Sequence, residues 1–255
     1  MWICGASLLG TATSAQAIVE IRVAIEDKAS ALTIGASTTA VVTNSQGQKL
    51  GQLAAMQIIR ATADGQGVRL GPWRSAGWLW ISPAQGGGIY IAERGYRGRL
   101  LLVPQGNSLL AVNYVDLEQY LYSVVGSEMP ASWPFEALKA QAVAARSYGL
   151  AHRFRPASRW YDLGDTERWQ VYKGVASEGR TTYAAVNATR GQVLTFGNGL
   201  VEAMYAASDE IIREVFGGIG MSQTGAYDLA RQGFDYRQIL SSYYPGAGLA
   251  RIQAR

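Results

Sequence analysis

The chain has 255 residues, with 23 lysines and arginines against 19 aspartates and glutamates, a formal net charge of +4 and a hydrophobic content of 48%. That charge favours anionic polymers slightly, but no lysine or arginine run accompanies it, which excludes a nucleic-acid-binding stripe. One cysteine, Cys4, and one histidine, His152, exclude a disulfide framework and an ordinary zinc site, and no metal or other cofactor is expected.

Residues 1–17 form a short apolar run ending in Ala15-Gln16-Ala17, an A-x-A signal-peptidase site, and are expected to be a signal peptide that lacks its basic n-region. The alternative is a buried first strand or helix, since the run is too short to span a bilayer. Cys4 lies inside this run and outside any lipobox, so no lipid anchor is expected, nor an integral membrane span in the mature chain. From there Val19, Ile21, Val23 and Ile25 alternate with polar or small residues, a period of two that predicts a half-buried strand. Short apolar runs at 40–42, 54–59, 78–81 and 89–92, separated by glycine-rich or polar turns, predict a β-rich N-terminal region over 18–93. Strands over 100–103 and 109–115 follow, joined by Pro104-Gln105-Gly106-Asn107-Ser108 as a hairpin turn.

Ser127 to Leu150 is the most informative stretch. Phe135, Leu138, Ala142, Ala145 and Gly149 recur at three-four spacing and predict a helix from about Trp133 to His152. Ser132 and Pro134 supply its start, and Glu136 suits the positive end of its macrodipole. The alanines at 140, 142, 144 and 145 allow close approach on several sides, so this helix is expected to be central and buried. Glu128 lies just upstream in a turn, where Pro130 restricts Met129 to an extended conformation. Met129, Pro130 and Trp133 are expected to desolvate its carboxyl and raise its pKa toward the range of a general acid.

Further on, strands over 192–196 and 200–205 flank Gly197-Asn198-Gly199 as a second hairpin. Ser222 is placed to cap a helix that runs to Gln232 and stops at Gly233, and a last short helix over 236–243 ends at Pro245. The fold class expected is α+β, with antiparallel β-sheets packed around one long central helix and short helices at the C-terminal end.

The Ser127–Leu150 stretch resembles the motif of the SpoIID/LytB family of exported, peptidoglycan-active proteins. Tyr96-Arg97-Gly98, the run from Val112 to Leu121, Gln170-Val171-Tyr172-Lys173-Gly174 and Gly220-Met221-Ser222-Gln223-Thr224-Gly225-Ala226 are similar to family landmarks in the same order. The resemblance covers about 89–245 and implies a SpoIID/LytB-like domain over 94–250. It also implies export to the periplasm or cell envelope, with peptidoglycan glycan strands as partner and a cell-wall amidase as a second one. The activity implied is that of a lytic transglycosylase cleaving between N-acetylmuramic acid and N-acetylglucosamine. Glu128 would be its single acid and base, with Gln141, Arg146, Tyr148, Ser222 and Gln223 binding substrate. A hydrolase needs two facing carboxyl groups, for which Asp162, Asp165, Glu167, Asp209 and Glu210 are the candidates.

Each residue also has a structural reading. Glu128 is equally a turn cap or an ion-pair partner of Arg146, Gln141 and Arg146 are equally satisfied polar groups beside the helix, and Lys139 is expected to be solvated. His152 complements the helix C-terminus. Gly217-Gly218-Ile219-Gly220 is a tight turn or a place where backbone approaches substrate, with Ser222 and Gln223 reaching sugar or acetamido groups. Trp133, Trp160, Tyr161, Trp169 and Tyr172 are core residues or sugar-stacking rings. The chain departs from the family after Tyr205, where the usual histidine, serine and long glycine-rich insert give way to Ala206-Ala207-Ser208-Asp209-Glu210. That departure keeps open a non-catalytic glycan-binding module that enhances an amidase. A degraded paralogue is a third reading, and its sign is a hydrophobic face left exposed where the missing segment once packed.

Overall fold

The computed structural model describes residues 19–252, so the expected signal segment lies outside the described residues. In chain order β1 (Glu20–Ala29), β2 (Ala31–Ala36), β3 (Ala40–Asn44), β4 (Lys49–Leu53), β5 (Ile58–Asp64), β6 (Gly67–Leu70), β7 (Trp73–Ser75), β8 (Leu79–Pro83), β9 (Gly88–Ile91) and β10 (Arg94–Arg97) form the N-terminal region. The two long strands β11 (Arg99–Gln105) and β12 (Ser108–Asp116) come next, turning through Gly106 at φ 64°, which glycine accepts without strain. The apolar run expected over 54–59 divides: Met56 is left-handed at φ 61° and makes a turn, and the strand begins only at Ile58.

One sheet orders β4, β3, β8, β11, β12, β1 and β13 (Leu163–Gly164), antiparallel except that β13 runs parallel to β1. A second orders β10, β9, β2, β5, β6 and β7. β1 pairs with β12 from Glu20 opposite Asp116 to Ala29 opposite Leu109, so β-structure continues well past residue 93 and the N-terminal region shares a sheet with β11, β12 and β13.

α1 (Leu117–Glu128) leaves β12 without a loop, because Asp116 Oδ1 accepts from the backbone N–H of Glu118 at 3.0 Å and of Gln119 at 3.2 Å. This helix has no sequence signature of amphipathicity. Leu117, Tyr120, Leu121, Val124 and Val125 bury one side and Glu118, Tyr122 and Ser123 another, so no polar face marks the period. It ends because Pro130 holds Met129 extended, at φ −130° and ψ 137°.

α2 (Phe135–Phe154) is the central buried helix expected, wholly covered from Ala140 to Ala151. Pro134, not Ser132, stands at its N-cap, and Phe135 is 42% exposed rather than part of the buried face. Gly149 explains one close approach: a Cβ there would lie 3.3 Å from Ile21 Cδ1 and 3.5 Å from Gln170 Oε1. Lys139 is not solvated. Its Nζ lies 2.6 Å from Glu136 Oε1 and 4.7 Å from the Tyr236 ring centre.

A short 3-10 turn over Val175–Ser177 leads to α3 (Arg180–Ala188), β14 (Gln192–Phe196), β15 (Gly199–Leu200), β16 (Tyr205–Ala206), α4 (Asp209–Phe216), β17 (Met221–Ser222), α5 (Gln223–Arg231), α6 (Tyr236–Tyr243) and β18 (Gly248–Arg251). Of the strand expected over 200–205, only the two ends are extended, as β15 and β16. The buried pair of Glu118 and Arg146 fastens α1, α2, α3 and β14 together. Arg146 Nε and Nη2 donate to the two carboxylate oxygens at 2.9 and 2.8 Å, and its remaining N–H groups reach the carbonyls of Ala142, Val186 and Gln192 at 3.1–3.3 Å. Glu118 Oε1 also accepts from Gly191 N–H at 3.0 Å.

Candidate active site

Glu128 is the last residue of α1, and two further segments converge on it. The 170–174 segment runs extended past the ends of α1 and α2, with its side chains alternating. Gln170 and Tyr172 point inward, where the Gln170 amide N–H donates to Ala145 O at 3.1 Å and to the Tyr205 hydroxyl at 2.9 Å. Its amide oxygen accepts from the Tyr120 hydroxyl at 3.0 Å, and Tyr172 donates to Asn113 Oδ1 at 2.9 Å. Pegged at these two points, the strand turns the Val171 N–H onto Glu128 Oε1 at 2.8 Å and leaves Lys173 on the open side. Gly174 ends the segment at φ 75°, where a Cβ would fall 2.2 Å from Gly95 O.

The third segment is the Gly220–Gln223 turn. β17 pairs in parallel with β16, and Ser222 caps α5 by accepting from Gly225 N–H at 3.0 Å. That capping aims Gln223 back at Glu128, its amide N–H donating to Oε2 at 3.3 Å.

The carboxyl opens into a cleft of about 520 Å³ whose walls differ in character. Glu167, Trp169, Val171 and Lys173 form one wall, and Ile211, Val215 and Phe216 of α4 form another. Burial is the main cause that pushes the Glu128 carboxyl above the ordinary range. The two hydrogen bonds and Lys173 oppose it, while the negative charge of Glu167 adds to it. Glu128 also ends a helix, where the macrodipole disfavours a negative charge. The desolvating groups are not the ones expected, since Pro130 and Trp133 do not line the cleft and Trp133 packs on Tyr227 at 5.1 Å between ring centres.

Gln223 is the expected substrate-side residue that the fold brings to Glu128. Arg146 is not at the cleft: it is wholly buried with its donors used inside the fold, and its partner is Glu118 rather than Glu128. This corrects the sugar-binding expectation for Arg146. Ser222 is likewise fully buried and occupied as a helix cap, which corrects the same expectation there. Gln141 is fully buried, with neither amide atom hydrogen-bonded. Tyr148 stands behind Tyr205, ring centres 6.4 Å apart, and burial pushes its hydroxyl up to about 12. His152 lies 3.2 Å from Glu202 and edge-on to Trp169, with burial lowering its pKa.

Among the second-carboxylate candidates, Glu167 alone lines the cleft. Asp162 is buried against Arg22, Asp165 pairs with Arg94 at 3.3 Å, and Asp209 and Glu210 open α4. The shortened segment after Tyr205 is α4 itself, held by the single buried side chain of Ile212 while Ile211, Val215 and Ile219 are 39%, 65% and 71% exposed. An exposed hydrophobic face is therefore present at the segment that follows Tyr205. Lys173 and the Val171 N–H are site groups that the sequence did not mark as such. Their signal is the alternation of inward and outward residues in Gln170-Val171-Tyr172-Lys173. Among the described residues, no group of three or more His, Cys, Asp or Glu side chains is arranged to hold a metal ion, and no helix is long and apolar enough to cross a membrane.

Residues 105–196, from the end of β11 through β14, match the family model described as stage II sporulation protein. The chain is 34% identical over 113 residues to an uncharacterized protein of Brachyspira hyodysenteriae, covering 44% of this chain and 31% of that protein. It is 40% identical over 89 residues to the amidase enhancer of Bacillus subtilis, covering 35% of this chain and 12% of the enhancer. It is 36% identical over 110 residues to stage II sporulation protein D of Bacillus subtilis, covering 37% of this chain and 32% of the relative. The chain thus spans about a third or less of the length of these curated relatives. The matched segment holds Glu128, α1, α2 and the pegged 170–174 strand, and over that segment the chain is similar to the SpoIID/LytB family.

Proposed function

We propose that the chain is an exported protein of the periplasm or cell envelope that acts on peptidoglycan, and that it is a lytic transglycosylase with Glu128 as its acid and base. The observation that carries this reading is the buried Glu128 carboxyl, kept protonated more readily by burial and by the negative charge of Glu167, at the floor of an open cleft. Val171 N–H holds Oε1 at 2.8 Å, so the proton belongs on Oε2, beside the weaker Gln223 contact at 3.3 Å. In the first step Oε2 gives that proton to the glycosidic oxygen between N-acetylmuramic acid and N-acetylglucosamine, and the C1–O bond breaks. In the second, the muramic C6 hydroxyl attacks C1 and returns its proton to Oε2. The product is a 1,6-anhydro sugar, no water is consumed, and the enzyme ends as it began.

A second reading is a glycan-binding module that enhances a cell-wall amidase without cutting. It is favoured by the likeness to an amidase enhancer and by the exposed apolar side chains of α4, which offer a partner a surface. Hydrolysis through Glu128 and Glu167 together is distinguished by its product. Incubating peptidoglycan glycan strands with the purified protein in ¹⁸O-water is expected to give anhydro ends free of the heavy isotope. Reducing ends carrying ¹⁸O point instead to a two-carboxylate hydrolase, and unchanged strands that stay bound point to the module.

A further inference from the structure

The face of the seven-stranded sheet turned away from α2 carries a small aliphatic strip, Leu101, Val103, Leu110 and Val112, each no more than 3% exposed. What covers it is aromatic. Trp80 and Tyr114 come from the sheet, Trp78 directly precedes β8, and Trp160 and Tyr161 come from the loop that follows α2. The rings meet edge to face in two pairs, Trp78 with Trp160 at 5.4 Å and Trp80 with Tyr114 at 4.6 Å between centres. Guanidinium groups lie on them: Arg99 is 4.4 Å from the Trp80 ring centre, and Arg159 is 4.5 Å from that of Trp160.

The loop that brings Trp160 here is rigidly held. Asp162, fully buried, accepts from the Arg22 backbone N–H at 2.8 Å and from Nε and Nη2 of the same residue at 2.9 and 2.6 Å. Arg22 Nη1 then donates to Arg159 O at 2.9 Å, so the main chain just before Trp160 is fixed by the same side chain. Covering an aliphatic strip needs none of this, because aliphatic side chains would do it without leaving indole rings half in water. Arg159 is exposed and has no carboxylate partner among the described residues. Partly exposed rings interleaved with planar cations suit the flat C–H faces of pyranose sugars that also carry carboxylates.

We propose that this aromatic platform is a second glycan-binding site, which holds a further stretch of the acidic glycan strand that the Glu128 cleft takes. The assignment of the ligand rests on the peptidoglycan reading of the cleft. The loop supports the link between the two sites, since Glu167 on the cleft wall follows Trp160 by seven residues and lies at most about 25 Å from it along an extended chain. One strand is therefore within reach of both. Trp78 and Trp80 lie outside the segment matched to the family, whereas Tyr114, Trp160 and Tyr161 lie inside it, so the platform joins the N-terminal region to the matched segment.

The test measures binding of long, peptide-stripped peptidoglycan glycan strands to the full chain, with a short oligosaccharide of the same sugars as control. Trp160→Ala is expected to weaken binding of the long strands by roughly five- to tenfold, one stacked ring's worth, and to leave the short oligosaccharide unaffected. Arg159→Gln disturbs no hydrogen bond of the fold and is expected to weaken the same binding and reduce its salt dependence. Unchanged long-strand affinity in either folded variant, with folding checked by thermal melting, overturns the platform. So does displacement of the strands by a single-stranded oligonucleotide at equal affinity, which would mark a nucleic-acid surface instead. Platform-dependent binding without any cleavage leaves this proposal standing and removes the catalytic reading, whereas cleavage with no platform dependence does the reverse.

Discussion

At the scale of the residue, Glu128 is governed by a few charges whose signs are known. Glu167 raises its pKa and Lys173 lowers it, while burial dominates both. The first chemical step needs the protonated carboxyl, so the alkaline limb of the pH profile of kcat/KM reports its loss. Glu167→Gln removes a negative neighbour and is expected to move that limb to lower pH while preserving turnover at acid pH. Lys173→Met removes a positive neighbour and is expected to move it to higher pH. A Glu167→Gln enzyme that is dead at every pH would instead make Glu167 a second catalytic carboxylate.

Arg146 acts on stability and not on the cleft. Removing it leaves Glu118 charged, buried and without its guanidinium, so Arg146→Ala is expected to cost about 3–5 kcal/mol of stability in urea unfolding. The glycan affinity of whatever remains folded is expected to be unchanged, and a loss of affinity without loss of stability contradicts the structural role. Residue type did not reveal this difference. Arg146, Gln141 and Ser222 are polar in the sequence, but their burial is decided by elements that pack from far along the chain. Glu128 was legible beside Pro130, which restricts Met129 to an extended conformation, although it is the last residue of α1 rather than part of the expected turn, and Gln223 was legible because it follows a capping serine.

At the scale of the element, the site depends on a strand fixed by alternate pegs. Gly174 is where that strand can end only as glycine: it is left-handed at φ 75° and a Cβ would stand 2.2 Å from Gly95 O. Gly174→Ala is expected to destabilise the fold by about 2–3 kcal/mol and to abolish activity by drawing the Val171 N–H off Glu128. Wild-type activity together with a wild-type melting temperature contradicts this. The terminal helices α5 and α6 were legible from Ser222, Gly233 and Pro245, and α2 from its spacing. α1 was not, because a helix buried on nearly every side loses the polar face that periodicity reads. α4 escaped for the opposite reason, since only Ile212 is buried and its few residues come after a departure from the family pattern.

At the scale of the whole molecule, the antiparallel sheets and the central helix expected from the sequence are present, but the β-rich N-terminal region is not set apart from the helical part. β1 pairs with β12, and β12 runs directly into the helix that ends in Glu128, so the sheet fixes the Glu128 carboxyl from behind. No local pattern announces that pairing, which joins residues nearly a hundred apart. The cleft opens beside α4 and the aromatic platform covers the sheet face away from α2, and these are the two places where one glycan strand is proposed to attach.

The most direct measurement is mass spectrometry of peptidoglycan strands, intact and peptide-stripped, after incubation with the wild-type protein and with Glu128→Gln. Anhydro-muramic products are expected from the wild type, with a fall of about a hundredfold or more in the variant, which still folds and still binds strands. Equal product from the two proteins, or none from a folded wild type that holds its glycan, would contradict it.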